Sequence, residues 1–247
     1  MAALVMSFLW AHGQNHDLKL WYDKPAGIWT EALPLGNGRI GAMVFGGVSH
    51  ELIQLNEATL WSGGPVRGDV NPGAPAYLPR VRQALFRGDY HLAEELDKHM
   101  QGVYSESFEP LGNLRIDQRF SGDTAVSGYY RDVDISRATA AVRYTVGGVR
   151  YTREMFISAA DQVMVIRITA DKPASLRLKV SANSLLRYSP AVIGHHEYSL
   201  EGVAPSHTDP SYVRDNKVPV QYDDSAGCRG MRFALHVTAT STDGTVK

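Results

Sequence analysis

Hydrophobic and polar positions alternate with a period of two along most of this chain, interrupted by one stretch of helical spacing. Residues 18–47 hold short apolar runs punctuated by Lys24-Pro25, Leu33-Pro34, Gly36-Asn37-Gly38 and Gly46-Gly47, a pattern of strands joined by turns. The run 39–45 after the Asn37-Gly38 turn predicts a strand whose small residues admit a close neighbouring backbone. In residues 51–60, Leu52, Gln54 and Asn56 share one strand face and Ile53, Leu55 and Glu57 the other. Asn56 and Glu57 therefore point oppositely.

Residues 72–102 change period. Tyr77, Val81, Ala84 and Leu85 recur at helical spacing, and Gly88 stands where a helix ends. Asp89 can cap a second helix with Leu92, Ala93, Leu96 and Met100 as its apolar stripe and Gly102 as its stop. The prediction is an α-helical hairpin inserted between strands, with Glu94-Glu95 on a solvated face.

The two-residue period returns after Gly112. Strands are predicted over 113–116, 129–135, 140–146, 149–157, 163–170, 175–181 and 232–239. Val146-Gly147-Gly148-Val149 is the clearest hairpin signal, a two-residue loop between alternating segments. Many short strands joined by short turns predict a mainly β, antiparallel sandwich, with no repeat and no interdomain linker. An alternating strand over 231–240 leads into an Asp243-Gly244 turn three residues before Lys247, an arrangement expected of a piece of something longer.

Composition narrows the function classes. Lys+Arg 25 against Asp+Glu 26 leaves a net charge of -1 in 247 residues, which argues against nucleic acid as a partner. The single Cys228 excludes an internal disulfide and a cysteine-rich zinc site, and is expected in a core. No apolar run reaches the roughly 18 residues of a membrane span. The apolar block 2–11 with the small-x-small Ala11-His12-Gly13 reads as a signal peptide over residues 1–13, despite the missing basic start. The expected location is secreted or periplasmic.

Several motifs together carry a family resemblance. They are Trp21-Tyr22-Asp23-Lys24-Pro25-Ala26, Trp29-Thr30-Glu31-Ala32-Leu33-Pro34-Leu35-Gly36-Asn37-Gly38-Arg39-Ile40-Gly41-Ala42-Met43-Val44-Phe45-Gly46-Gly47, and Leu55-Asn56-Glu57-Ala58-Thr59-Leu60-Trp61-Ser62-Gly63-Gly64-Pro65. Glu109-Pro110-Leu111-Gly112-Asn113-Leu114 and Tyr130-Arg131-Asp132-Val133-Asp134-Ile135 follow in order. From about residue 18 onward the chain resembles the N-terminal domain of family 95 glycoside hydrolases, the inverting alpha-L-fucosidases. Ala58 and Asn113 stand where that family more often has Asp.

The resemblance implies an antiparallel β-super-sandwich over residues 18–247, followed in the parent enzyme by a helical toroid that holds the acid and the water-activating groups. The expected partners are that catalytic toroid and a fucosylated glycan, and no cofactor is called for. The domain is expected to be non-catalytic, bracing the toroid and walling one side of its cleft. A free-standing carbohydrate-binding or structural module is the alternative.

The chain's own residues offer little catalytic chemistry. Inverting hydrolysis needs two carboxyl groups about 6.5–9.5 Å apart across the bond. Glu106 with Glu109, Asp132 with Asp134, and Asp223 with Asp224 are the available pairs, and each is expected to cap turns or face solvent. His195-His196-Glu197 cannot easily share a metal in a strand, since neighbours point to opposite faces. Asn56, Glu57 and Trp61, with the Gly63-Gly64-Pro65 loop, are the candidate substrate-binding residues. An indole face stacks on a sugar's apolar side while amide and carboxylate meet its hydroxyls, although an interdomain seam would use the same residues. Trp21, Tyr22 and Trp29 are expected in a core or domain interface.

Overall fold

A computed structural model describes residues 18–64, 70–102, 105–122, 124–214, 216–223 and 230–246. The signal-peptide reading of residues 1–13, Pro65, Asp224, Cys228 and Lys247 lie outside the described residues. The chain is mainly β, with 44% strand and 11% helix in several antiparallel sheets, as its alternating pattern predicts.

In chain order the first strands are β1 (Lys19–Tyr22), β2 (Leu33–Gly36), β3 (Ile40–Val44) and β4 (His50–Glu57), followed by helices α1 (Leu78–Phe86) and α2 (Tyr90–Lys98). Then come β5 (Gly112–Gln118), β6 (Val126–Asp134), β7 (Thr139–Val146), β8 (Val149–Ile157), β9 (Met164–Ala170) and β10 (Leu178–Asn183). The last are β11 (Arg187–Ile193), β12 (Glu197–Val203), β13 (His207–Thr208), β14 (Val220–Gln221) and β15 (Arg232–Thr238). The chain divides into two compact units, one from Met1–Ile53 with Arg115–Val180, the other from Gln54–Leu114 with Ser181–Lys247. The division falls inside β4, β5 and β10.

The first unit contains an antiparallel sheet in the order β1-β6-β7-β8-β9. Its β7–β8 hairpin closes with Val146 opposite Val149, and Gly147 and Gly148 at φ 57° and 71° form the predicted two-residue loop. Both φ values are what a primed turn requires. In the second sheet, β10-β5-β4-β3-β2, the outermost strand β2 carries Pro34. Asn37 shapes the β2–β3 loop, its Oδ1 accepting from the N–H groups of Arg39 at 3.0 Å and Ile40 at 2.8 Å. Leu33, Val44, Ile53, Val142 and Met155 are fully buried.

One feature of this core contradicts simple alternation. Tyr151, Arg153 and Met155 share the buried face of β8, so an arginine points inward. Its guanidinium donates to Glu51 Oε2 at 2.9 Å, the Val48 carbonyl at 2.7 Å, Gln118 Oε1 at 3.0 Å and Tyr144 Oη at 2.7 Å. Glu51 also accepts from the Gly46 N–H at 2.7 Å. Burial pushes the Glu51 carboxyl above its ordinary range, and the Arg153 charge pulls against that rise. Among the described residues Arg153 Nε and Gln118 Nε2 are buried without a partner, so the network is nearly but not wholly satisfied. Nearby, Arg131 is also buried and holds the loop before β2, donating to the carbonyls of Lys24 and Glu31 at 2.8 Å each.

The second unit holds the helical hairpin and a sheet ordered β11-β12-β15. Gly88 takes a left-handed φ of 74° after α1, and Asp89 caps α2 by accepting from the Leu92 N–H at 3.1 Å. The hairpin's buried seam is Ala84, Ala93 and Leu96, with Tyr77 and Val81 against it. Leu85 and Leu92 are exposed, contrary to the expected stripe, because two nine-residue helices bury only a narrow line. Helix α2 also ends at Lys98, so Met100 lies in the following turn. Strands β11 and β12 were not predicted: β11 is exposed throughout and carries Pro190, which leaves no alternation to read. Among the described residues no helix is long and apolar enough to cross a membrane.

Candidate functional site

In the second unit the chain leaves β4 at Glu57 and turns through Leu60 into Trp61. Glu57 caps that turn, its carboxylate accepting from the Thr59 N–H at 2.9 Å and the Thr59 hydroxyl at 2.6 Å. Asn56 and Glu57 are both half-buried and, as neighbours on a strand, leave it on opposite faces. Trp61 donates its indole N–H to the Ala58 carbonyl at 3.0 Å, which fixes the ring while leaving the side chain 43% exposed. Asn56, Glu57 and Trp61 are thus close in the chain without converging on one point.

The loop is lashed to residues 105–109. Trp61 and Phe108 form an isolated antiparallel bridge, and their rings meet edge to face at 5.6 Å between centroids. Ser62 donates its N–H to the Ser107 carbonyl at 2.9 Å, and the Glu109 backbone N–H donates to the Leu60 carbonyl at 2.9 Å. Gly63 sits at φ 78° with Glu106 so near that a Cβ would meet its Cγ at 2.6 Å. Glycine is required there for space and for backbone conformation.

Behind the aromatic pair lies a chain of polar contacts. Glu106 accepts from the Ser62 hydroxyl at 2.6 Å and faces His207 Nδ1 at 3.1 Å, while His207 Nε2 faces Asp209 Oδ1 at 2.9 Å. Asn216 donates to the other Asp209 oxygen at 2.6 Å. Thr208 donates to Glu109, which is buried, at 2.8 Å. The Glu106 and Asp209 carboxylates hold the His207 imidazole above its ordinary range, and His207 with Asn216 holds Asp209 below its own. A doubly protonated ring is the form that serves both carboxylates at once.

The remaining candidates have structural partners. Asp132 is buried and pairs with Arg143 at 2.9 Å, and Asp134 accepts from the Arg137 N–H at 3.2 Å. His195 and His196 lie in the β11–β12 turn, while Glu197 begins β12 and faces His236 Nδ1 at 3.1 Å. Trp21 and Trp29 are 61% and 58% exposed, which removes them from the core. Among the described residues no group of three His, Cys, Asp or Glu side chains is arranged to hold a metal ion. His207 and Asp209 were missed in the sequence because their partner Glu106 is about a hundred residues away and only the fold joins them.

The family described as glycosyl hydrolase family 65, N-terminal domain, matches residues 20–247. Alpha-L-fucosidase 2 of Arabidopsis thaliana is 40% identical over 176 residues, covering 70% of this chain and 21% of that protein. Probable alpha-fucosidase A of Aspergillus niger (strain ATCC MYA-4892 / CBS 513.88 / FGSC A1513) is 33% identical over 162 residues, covering 62% and 20%. Probable alpha-fucosidase A of Aspergillus oryzae (strain ATCC 42149 / RIB 40) is 31% identical over 159 residues, covering 61% and 21%. The matched stretch spans about a fifth of these curated relatives.

Proposed function

This chain belongs to the glycosyl hydrolase family 65 N-terminal domain family, the one found in family 95 enzymes, and we propose that it is the non-catalytic N-terminal part of an alpha-L-fucosidase-type hydrolase. The observation that carries this reading is the family match over residues 20–247 together with fucosidase relatives of which the matched stretch spans only about a fifth. In this reading the chain braces a helical catalytic toroid that acts on terminal fucosyl linkages of glycans, and it walls one side of the toroid's cleft. The apolar block 2–11 and Ala11-His12-Gly13 favour action outside the cytoplasm, secreted or periplasmic.

The exposed Trp61–Phe108 pair, held rigidly by its bridge, is the chain's contribution at the seam with the toroid. A second reading rests on the open indole face: Trp61 stacks on a sugar of the substrate while Asn56 and Glu57 meet its hydroxyls. Assay with a chromogenic alpha-L-fucoside tests the main reading. The protein that joins this domain to its toroid is expected to release the chromophore, and the 247-residue chain alone is expected to match the blank. Turnover by the chain alone overturns the non-catalytic assignment, and a joined protein that cleaves only other glycosides overturns the substrate.

A further inference from the structure

The helical hairpin of the second unit leaves one of its sides uncovered. Its seam is made by Tyr77, Val81 and Ala84 at α1 with Ala93 and Leu96 of α2. In two antiparallel right-handed helices, the residue that follows a seam position lies on the same side of the pair in both helices. Those followers are Leu78, Arg82 and Leu85 on α1, and Glu94 and Asp97 on α2, with Tyr90 one turn before Glu94 in the same stripe. Each stripe keeps the i, i+4, i+7 spacing of a single helix face. All six side chains are exposed, Tyr90 at 72% and Leu85 at 47%. The helices also differ in sign: residues 78–87 hold three arginines and no carboxylate, whereas 89–99 hold Asp89, Glu94, Glu95 and Asp97 against Lys98. Among the described residues the hairpin's ion pair, Lys98 with Glu95 at 2.7 Å, lies within α2 and leaves Arg82, Glu94 and Asp97 out.

We propose that this side of the hairpin is a docking surface for a second copy of the chain, giving a two-fold dimer with four helices at its centre. A two-fold axis parallel to the helices sets α1 of one copy over α2 of the other, in the antiparallel sense already present inside the hairpin. Arg82 then meets the Glu94 and Asp97 carboxylates of the second copy, and the symmetry makes that contact twice. Leu78, Leu85 and Tyr90 supply the apolar area around it. An axis across the helices would lay α1 on α1 and bring Arg82 onto its own image, so the charges select the first arrangement. They also select the occupant. A polyanion or an anionic membrane is repelled by the acidic half of the surface, whereas the image of a basic stripe beside an acidic one is its own complement. The surface lies within the second unit and stands independently of the fucosidase reading.

Sedimentation equilibrium of the 247-residue chain tests this. A monomer–dimer equilibrium is expected, weaker at about 1 M salt than at about 0.1 M. Arg82→Glu, and Glu94→Lys with Asp97→Lys, are each expected to weaken the dimer about tenfold or more, because each sets like charges against one another. An equimolar mixture of the two variants is expected to recover it, since the reversed α1 of one then meets the reversed α2 of the other. Should either variant lose its cooperative thermal transition, Arg82→Gln or Glu94→Gln with Asp97→Asn takes its place, again with a weaker dimer expected. A chain that is monomeric at every concentration leaves this side to another part of a longer protein or to a different partner, and overturns the proposal. A dimer unchanged in the variants, or a mixture no stronger than its components, overturns it as well.

Discussion

Arg153 and Glu51 meet at 2.9 Å with neither side chain exposed to solvent. Two desolvated charges attract strongly, yet each gives up hydration to be there, so the pair adds little net stability while either charge alone is costly. Arg153→Ala or Glu51→Ala is expected to lower unfolding free energy by about 3–5 kcal/mol, read from urea midpoints. The double variant Glu51→Leu with Arg153→Met is expected to be less destabilised than either single one. Additive losses would show that the two residues act separately.

His207 makes stability depend on pH. Its folded pKa lies above the 6.5 of the unfolded chain, owing to Glu106 first and then Asp209. The folded state therefore binds the proton more tightly, and the contribution is complete below about pH 6.5 and lost as pH rises through the folded value. Asp209, with its pKa lowered from 3.8, contributes above that value and loses its share as pH falls through the folded one. The thermal midpoint is expected to decline as pH rises above about 6.5, and to decline less in His207→Gln. Equal slopes in the two proteins would remove the imidazole from this role.

Gly46 and Gly148 both take left-handed backbone, at φ 76° and 71°, but their surroundings differ. A Cβ at Gly46 would meet Tyr129 Oη at 2.6 Å and Arg131 Cδ at 2.8 Å, whereas at Gly148 it would meet only Lys172 Nζ, at 3.7 Å. Gly148→Ala is expected to cost about 1–2 kcal/mol from backbone strain. Gly46→Ala is expected to cost more, since displacing Arg131 also loosens its hold on the Lys24 and Glu31 carbonyls. Denaturant titration of both variants orders them, and an equal loss would locate the whole effect in the backbone.

What could be read from the sequence was local. The Gly147-Gly148 hairpin, the Asp89 cap and the bounds of β8 follow from neighbouring residues and stand as expected. Long-range pairings had no such signature. Arg153 sits where alternation predicts an inward residue, yet its charge argues for solvent, and only the acceptors brought by β4, β5 and β7 make burial feasible. The same holds for the candidate site: Trp61 is visible as a motif, while Phe108, Glu106 and His207 reach it only through folding. Leu85 and Leu92 err in the other direction, since apolar periodicity marks a helix but does not say how wide its covered face is.

Trp61 offers a direct optical readout. If its indole meets sugar, L-fucose titration of the joined protein is expected to quench fluorescence in the native sequence and to lose most of that signal in Trp61→Phe. If Trp61 instead packs the seam, the titration is unchanged and Trp61→Ala lowers the thermal midpoint. Loss of the Trp61–Phe108 edge contact alone is worth about 0.5–1.5 kcal/mol, so Phe108→Ala is expected to destabilise by that order in denaturant titration.

The prolines at Pro34 and Pro190 sit in β2 and β11, outermost strands of their sheets among the described residues. Neither ring nitrogen can donate, so each border shows a broken row of donors to any extended peptide that approaches it. Such a border is a poor template for cross-β growth, and β11, exposed along its whole length, would otherwise be an open invitation to self-association.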